Sequence, residues 1–132
     1  MSQENVEIVR QQVEAFNRRD FEACQALSTP DVELVTLRAA LEGAAYRGPD
    51  AFARALGDFD ESWEDLRYEV QEIRPAGDRV VAIGHLRGRG RASGVTVDAP
   101  LAALFGLRAG KIATMRAYTD VTEALQAVGP SD

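Results

Sequence analysis

The run from Gly77 to Asp120 constrains this chain more than any other feature. It reads Gly77-Asp78-Arg79-Val80-Val81-Ala82-Ile83-Gly84-His85-Leu86-Arg87, continues through Ser93-Gly94-Val95-Thr96-Val97-Asp98-Ala99-Pro100 and Leu104-Phe105, and closes with Ala109-Gly110-Lys111-Ile112 and Met115-Arg116-Ala117-Tyr118-Thr119-Asp120. Three strand-like stretches are separated by two turn signals, Ser93-Gly94 and Ala109-Gly110-Lys111. Strands joined by connections this short are antiparallel neighbours. One face of such a meander needs a cover, and the way it is covered decides what stays open for function.

The N-terminal half supplies helices. Val6, Val9, Val13 and Phe16 recur at helical spacing and form one apolar stripe. Asp20 caps a short second helix with Phe21, Cys24 and Leu27 on one side, and Thr29-Pro30-Asp31 ends it. Val32, Leu34 and Thr36 alternate with Glu33 and Val35 as a short strand, whereas the stretch from Leu37 to Tyr46 reads as a loop. A third helix follows Gly48-Pro49-Asp50, with Phe52, Ala55, Leu56 and Phe59 inward. The five acids between Asp58 and Asp65 surround Trp63 and read as an exposed connection. Leu66 to Arg74 alternates as a further strand, and Val121 to Val128 is a terminal helix stopped by Gly129-Pro130. Helices gathered toward one end and strands toward the other indicate an α+β domain, with the N-terminal helices on the concave face of a mainly antiparallel sheet. Gly84, Gly88, Gly90, Gly94 and Gly106 lie in or beside the strands and predict bulges or sharp bends. A strongly curved sheet capped by helices encloses a conical cavity.

At 132 residues, 45% apolar and 27% charged, the chain reads as one domain, 1–132, with a full core. A net charge of −6 opposes a nucleic-acid footprint or adhesion to anionic membrane. No apolar run has membrane-spanning length, the N-terminus has no leader pattern, and the one cysteine, Cys24, fits a reducing compartment; the expected location is cytoplasmic. One histidine and one cysteine cannot build a zinc site, and no phosphate loop or nucleophile elbow is present, so neither metal nor cofactor is expected.

Six pieces follow one another in order: Asn17-Arg18-Arg19-Asp20-Phe21-Glu22-Ala23, Pro30-Asp31-Val32-Glu33, Tyr46-Arg47-Gly48, Gly77-Asp78-Arg79-Val80-Val81, Ser93-Gly94-Val95-Thr96-Val97 and Gly110-Lys111-Ile112. Together they resemble the SnoaL-like family of the nuclear transport factor two-like superfamily, over nearly the whole chain. The resemblance implies a cone-shaped α+β barrel with a pocket in the cone, often dimeric through the outer sheet face. It also implies kinship with polyketide cyclases, ketosteroid isomerases and epoxide hydrolases.

The activities of those relatives do not carry over residue by residue. The resemblance places Thr36 where steroid isomerases have their aspartate base, Gln12 near their tyrosine, and Ala103 at their late-strand aspartate. Threonine is too weak a base, and alanine donates nothing. At the Asp-Arg-Asp constellation of limonene-type epoxide hydrolases stand His85, Arg87 and Ala117, so both carboxylates are missing. SnoaL-type cyclases use a pocket aspartate or histidine as proton acceptor, and His85 is the counterpart here. Strand parity groups Val81, Ile83, His85, Arg87 and Arg89 on one face, which the resemblance turns inward. His85 and Arg87 are therefore the catalytic candidates, one to move a proton and one to steady negative charge. Phe16, Thr36, Phe52, Ile83, Leu101, Ala103, Phe105, Met115, Ala117 and Thr119 are the candidate lining of a mainly apolar pocket. Arg87, Arg89 and Arg91 read alternatively as a solvated hairpin end pairing with acids, Asp98 as an outer-face contact, and Tyr46, Trp63, Tyr68 and Tyr118 as a pocket rim or as packing. The reading is a pocket for a small, mostly apolar organic ligand, serving a cyclase- or isomerase-type enzyme. The alternative is a non-catalytic ligand-binding or dimeric scaffold module, and in either case a homodimer through the outer sheet face is expected.

Overall fold

The structure is a computed structural model that describes residues 2–128, so the stop expected at Gly129-Pro130 lies outside the described residues. Five helices and six strands follow in the order α1 (Ser2–Arg18), α2 (Phe21–Ala26), β1 (Ser28–Val35), α3 (Leu37–Glu42), β2 (Tyr46–Arg47), α4 (Ala51–Ser62), β3 (Trp63–Ala76), β4 (Arg79–Gly90), β5 (Thr96–Arg108), β6 (Lys111–Tyr118) and α5 (Val121–Ala127). The strands make one curved, open sheet in the order β2-β1-β6-β5-β4-β3. Only β1 and β6 run parallel; the other neighbours are antiparallel.

The meander is longer than its sequence pattern suggests. β3 begins at Trp63, which pairs with Gly90, and α4 runs through Ser62, so no exposed connection separates them. Two acids of that stretch are held by arginines: Arg19 Nε lies 3.2 Å from Asp60, and Arg89 reaches Glu64 at 3.1 Å. The segment expected to be a loop also differs. Thr36 leaves the strand and caps α3, accepting from the Ala39 amide at 3.2 Å, and Gly43 closes that helix with a left-handed φ of 66°. A six-residue helix leaves too little periodicity to read from sequence.

The bend of the sheet comes from bulges, as the strand glycines predict. Between Val70–Gly84 and Glu72–Ile83 the register slips by one, leaving Gln71 as the extra residue on β3. A Cβ placed on Gly84 would stand 2.0 Å from the Glu69 carbonyl oxygen, so only glycine allows the two backbones this close.

α1, α2 and α4 pack into the concave face. Val9, Val13, Cys24, Phe52 and Ala55 meet Val32, Leu34, Val80, Ala82, Phe105 and Ile112 in one apolar core. Burial pushes the Cys24 thiol up to about 12, which leaves it an inert part of that core. The motif around Asn17 clamps α1 to the free edge of the sheet. Asn17 Nδ2 donates to the Tyr68 carbonyl at 3.0 Å while its Oδ1 accepts from the Tyr68 amide at 2.8 Å, which imitates a neighbouring strand. Arg19, at a left-handed φ of 61°, adds a bond to the Leu66 carbonyl at 2.7 Å.

A second, smaller core lies on the convex face. α5 brings Ala124, Val121 and Leu125 against Val81, Ala102 and Leu104. The apolar end of the outer face is thus covered within the chain itself. Among the described residues no helix is long and apolar enough to cross a membrane.

Candidate functional site

The concave face, α1, α3 and α4 enclose a cavity of about 390 Å³. Its inner wall is the sheet: Leu86 of β4, Val97, Leu101, Ala103 and Phe105 of β5, and Met115 and Ala117 of β6. Val13 and Phe16 of α1 and Phe52 and Phe59 of α4 form the opposite side. Trp63, Leu66 and Tyr68 close one flank, and Leu37, Arg38 and Leu41 of α3 stand at another, where Leu41 is 90% exposed. Of the ten expected lining residues, Phe16, Thr36, Phe52, Leu101, Ala103, Phe105, Met115 and Ala117 meet in this cavity.

The other two do not. Ile83 packs on the convex side with Val81 and α5, and Thr119 is exposed just beyond the end of β6. His85 and Arg87, the catalytic candidates, also lie on the convex face. The reason is register. β4 and β5 pair Ala82 with Ala103, Gly84 with Leu101 and Val80 with Phe105. Directly opposed residues share a face. Once Leu101, Ala103 and Phe105 point inward, the even-numbered residues of β4 do too, and Ile83, His85 and Arg87 must point out. The proton transfer assigned to His85 is therefore excluded by geometry.

On the convex face His85 belongs to a cross-strand ion-pair ladder. Its Nδ1 lies 2.8 Å from Asp98 Oδ1, Arg87 Nε lies 3.2 Å from Asp98 Oδ2, and Arg87 reaches Glu69 at 2.8 Å. The hydrogen bond from His85, with the Arg87 charge beside it, holds the Asp98 carboxyl below its ordinary range. Arg89 and Arg91 both reach Glu64, so the arginine run pairs with acids, as the solvated-hairpin reading expects. Asp98 takes the outer-face position read for it.

The polar groups that do line the cavity are few. Thr36 spends its hydroxyl on the α3 cap. Tyr68 Oη lies 2.8 Å from the carbonyl oxygens of both Ala82 and Leu101 and shares its one proton between them, and burial pushes its pKa up, so it offers the cavity mainly its ring. Gln12 is 3% exposed, and its side-chain amide has no hydrogen-bond partner among the described residues. Tyr46 Oη donates to Asp58 Oδ2, and that bond raises the Tyr46 pKa, keeping the phenol protonated. Among the described residues Asp58 is the one carboxylate in the lining. Sequence reading missed it because it counted the residue within an acidic connection. Helical spacing, with Asp58 seven residues after buried Ala51, was the signal available. Tyr46, Trp63 and Tyr68 are on the cavity side, whereas Tyr118 packs with the convex core. Among the described residues no three histidine, cysteine or carboxylate side chains gather as a metal site.

The fold has many solved counterparts. An NTF2-like protein from Burkholderia xenovorans is 28% identical, with 98% of each chain covered and a TM-score of 0.77. A candidate polyketide cyclase from Xanthomonas campestris is 25% identical, covering 97% of this chain and 98% of its own, with a TM-score of 0.79. TerC, co-crystallised with polyporic acid, is 21% identical over 96% of this chain and 99% of its own, with a TM-score of 0.78. A search of curated protein sequences gives no significant match. The family model described as the SnoaL-like domain matches Val9 to Met115, across both the helical cover and the meander. With the cone, the cavity and that match in agreement, this chain belongs to the SnoaL-like domain family.

Proposed function

We propose that the cone binds a small, mostly apolar organic molecule. One observation carries this reading: a cavity of about 390 Å³ walled largely by aromatic and aliphatic side chains, with its few polar groups mostly engaged inside the protein. That volume falls within the usual range for small-molecule sites. The structural likeness to a candidate polyketide cyclase and to a protein co-crystallised with polyporic acid supports a flat aromatic or polycyclic ligand. A cyclase or isomerase run by His85 loses its ground, because that ring stands on the opposite face of the sheet. Ligand binding is the function that remains best supported.

Trp63 is the only tryptophan and lines the cavity, so its emission reports occupancy. Titration with neutral 2-naphthylmethanol, followed by Trp63 emission and by calorimetry, should give saturable binding at one site. The cavity-filling variant Ala117→Phe should abolish it while retaining the circular dichroism of the folded protein. Absence of binding to the wild type, or unchanged binding to the folded filled variant, would refute the reading.

A further inference from the structure

Asp58 sets a condition on the ligand. It is half-buried on α4, lines the cavity, and receives one hydrogen bond, from Tyr46. Among the described residues no arginine, lysine or histidine makes an ion pair with it, although Arg54 stands one turn earlier on the same helix, Arg38 of α3 lines the cavity, and Arg19 follows the end of α1. Each of those is committed elsewhere: Arg19 to Asp60 at 3.2 Å, Arg38 to Glu42 at 3.4 Å, and Arg54 to Asp50 at 3.1 Å. A carboxylate accepts several hydrogen bonds, and one phenol leaves most of that capacity to water. An apolar molecule filling the cavity expels that water and leaves the charge unpaired, which is unfavourable. The ligand must therefore bring a donor, and a cation answers the charge best.

The walls favour the same choice. Phe52, Phe59 and Trp63 present aromatic rings to the cavity, and ring faces attract ammonium groups, whereas the Phe16 and Tyr46 rings already hold Arg19 and Arg54 over them at 5.0 and 5.9 Å. The chain carries a net charge of −6, so its field draws cations and repels anions. Tyr46 directs its proton at Asp58 rather than at a ligand, and the amide of Gln12, which also lines the cavity and is unpartnered among the described residues, is uncharged and accepts as well as donates.

From this combination of one under-satisfied carboxylate and an aromatic wall, we infer that the cone selects a hydrophobic amine. The protonated nitrogen lies at Asp58 and Tyr46, and the apolar body lies among the aromatic rings. The inference rests on the ligand-binding reading above and specifies the class of its ligand.

The test compares four probes that share one ring system: 2-naphthylmethylamine, 2-naphthylmethanol, 2-acetonaphthone and 2-naphthoate. Binding to the full chain is measured by calorimetry at pH 7. The amine should bind at least about fivefold more tightly than each of the other three. In Asp58→Asn, shown to be folded by its circular dichroism, that preference should fall below fivefold. A smaller preference in the wild type overturns the inference, as does one that survives in Asp58→Asn, and tightest binding of the ketone or the acid does so as well. If the alcohol binds without an amine preference, the cavity reading stands and this inference fails. If none of the four binds, both fail.

Discussion

Gly84 offers the sharpest test of how this sequence makes a cone. A Cβ at that position would lie 2.0 Å from the Glu69 carbonyl oxygen and 2.8 Å from Val70 Cα, both backbone atoms of β3. No rotamer relieves such a contact; Gly84→Ala must push β3 and β4 apart beside the bulge at Gln71. Overpacking of this kind, with weakening of one or two ladder hydrogen bonds, costs about 3 kcal/mol. For a domain of this size each kcal/mol moves the melting temperature by roughly 3–5 °C, so the variant should melt roughly 9–15 °C below the wild type. Gly57 supplies the control. It sits within α4, and a methyl group added there would meet nothing within 4 Å, so Gly57→Ala should raise stability by about 0.5–1 kcal/mol. Thermal unfolding followed by circular dichroism measures both variants. If Gly84→Ala melts within about 2 °C of the wild type, well inside the shift expected from overpacking, or if Gly57→Ala falls as far as Gly84→Ala should, close strand approach is not what the glycine provides.

Two further outcomes test other parts of the fold. Asn17→Ala removes both bonds from α1 to the Tyr68 backbone and should cost about 1–2 kcal/mol by chemical denaturation; an unchanged midpoint would show that the edge of β3 needs no such clamp. The ladder at Asp98 gives a pH dependence: its folded pKa is lowered, so its contribution is present above the ordinary carboxyl value near 3.8 and is lost as the pH falls through the lowered value. Asp98→Asn should therefore melt below the wild type at pH 7, with the two curves converging as the pH is lowered into that range. Equal melting at pH 7, or a gap that persists in acid, contradicts the assignment.

The glycine positions, the two turn signals and the periodicity of α1 were legible in the sequence because each expresses a local constraint: a permitted backbone angle, a close approach or an apolar stripe. The inward side of β5 and β6 was legible as well, through Leu101, Ala103, Phe105, Met115 and Ala117. The face of β4 was not. Val80, Val81, Ala82 and Ile83 are apolar on both parities, because the concave core takes one set and α5 the other. With both faces of a strand buried, alternation carries no sign. The choice then falls to register, which the turn between Gly90 and Thr96 sets. Ser93-Gly94 marks the turn, but the glycine- and arginine-rich tract does not reveal how many residues around it stay unpaired, and that number sets the register. Asp58 was hidden for a related reason: whether an acid faces solvent or a cavity depends on where α4 ends, and that end is fixed by the pairing of Trp63 with Gly90.

The missing acids at Ala103 and Ala117 follow from the same geometry. Leu101, Ala103, Phe105, Ala117, Phe52 and Val13 belong at once to the cavity lining and to the main core. The pocket is thus a continuation of the hydrophobic core rather than a cleft cut beside it. A carboxylate on that wall would be buried without a partner, at a cost to folding, unless further polar groups came with it. Methyl groups at these two positions keep the wall apolar and continuous with the core. The charge that remains sits instead on α4, opposite the sheet, where Tyr46 of β2 can reach it. In this chain the under-satisfied polar groups of the cavity among the described residues, Asp58 of α4 and Gln12 of α1, stand on the helical cover rather than on the sheet. Under the reading proposed above, a ligand that fills the cone places its apolar body against β5 and β6 and turns its polar head toward α4.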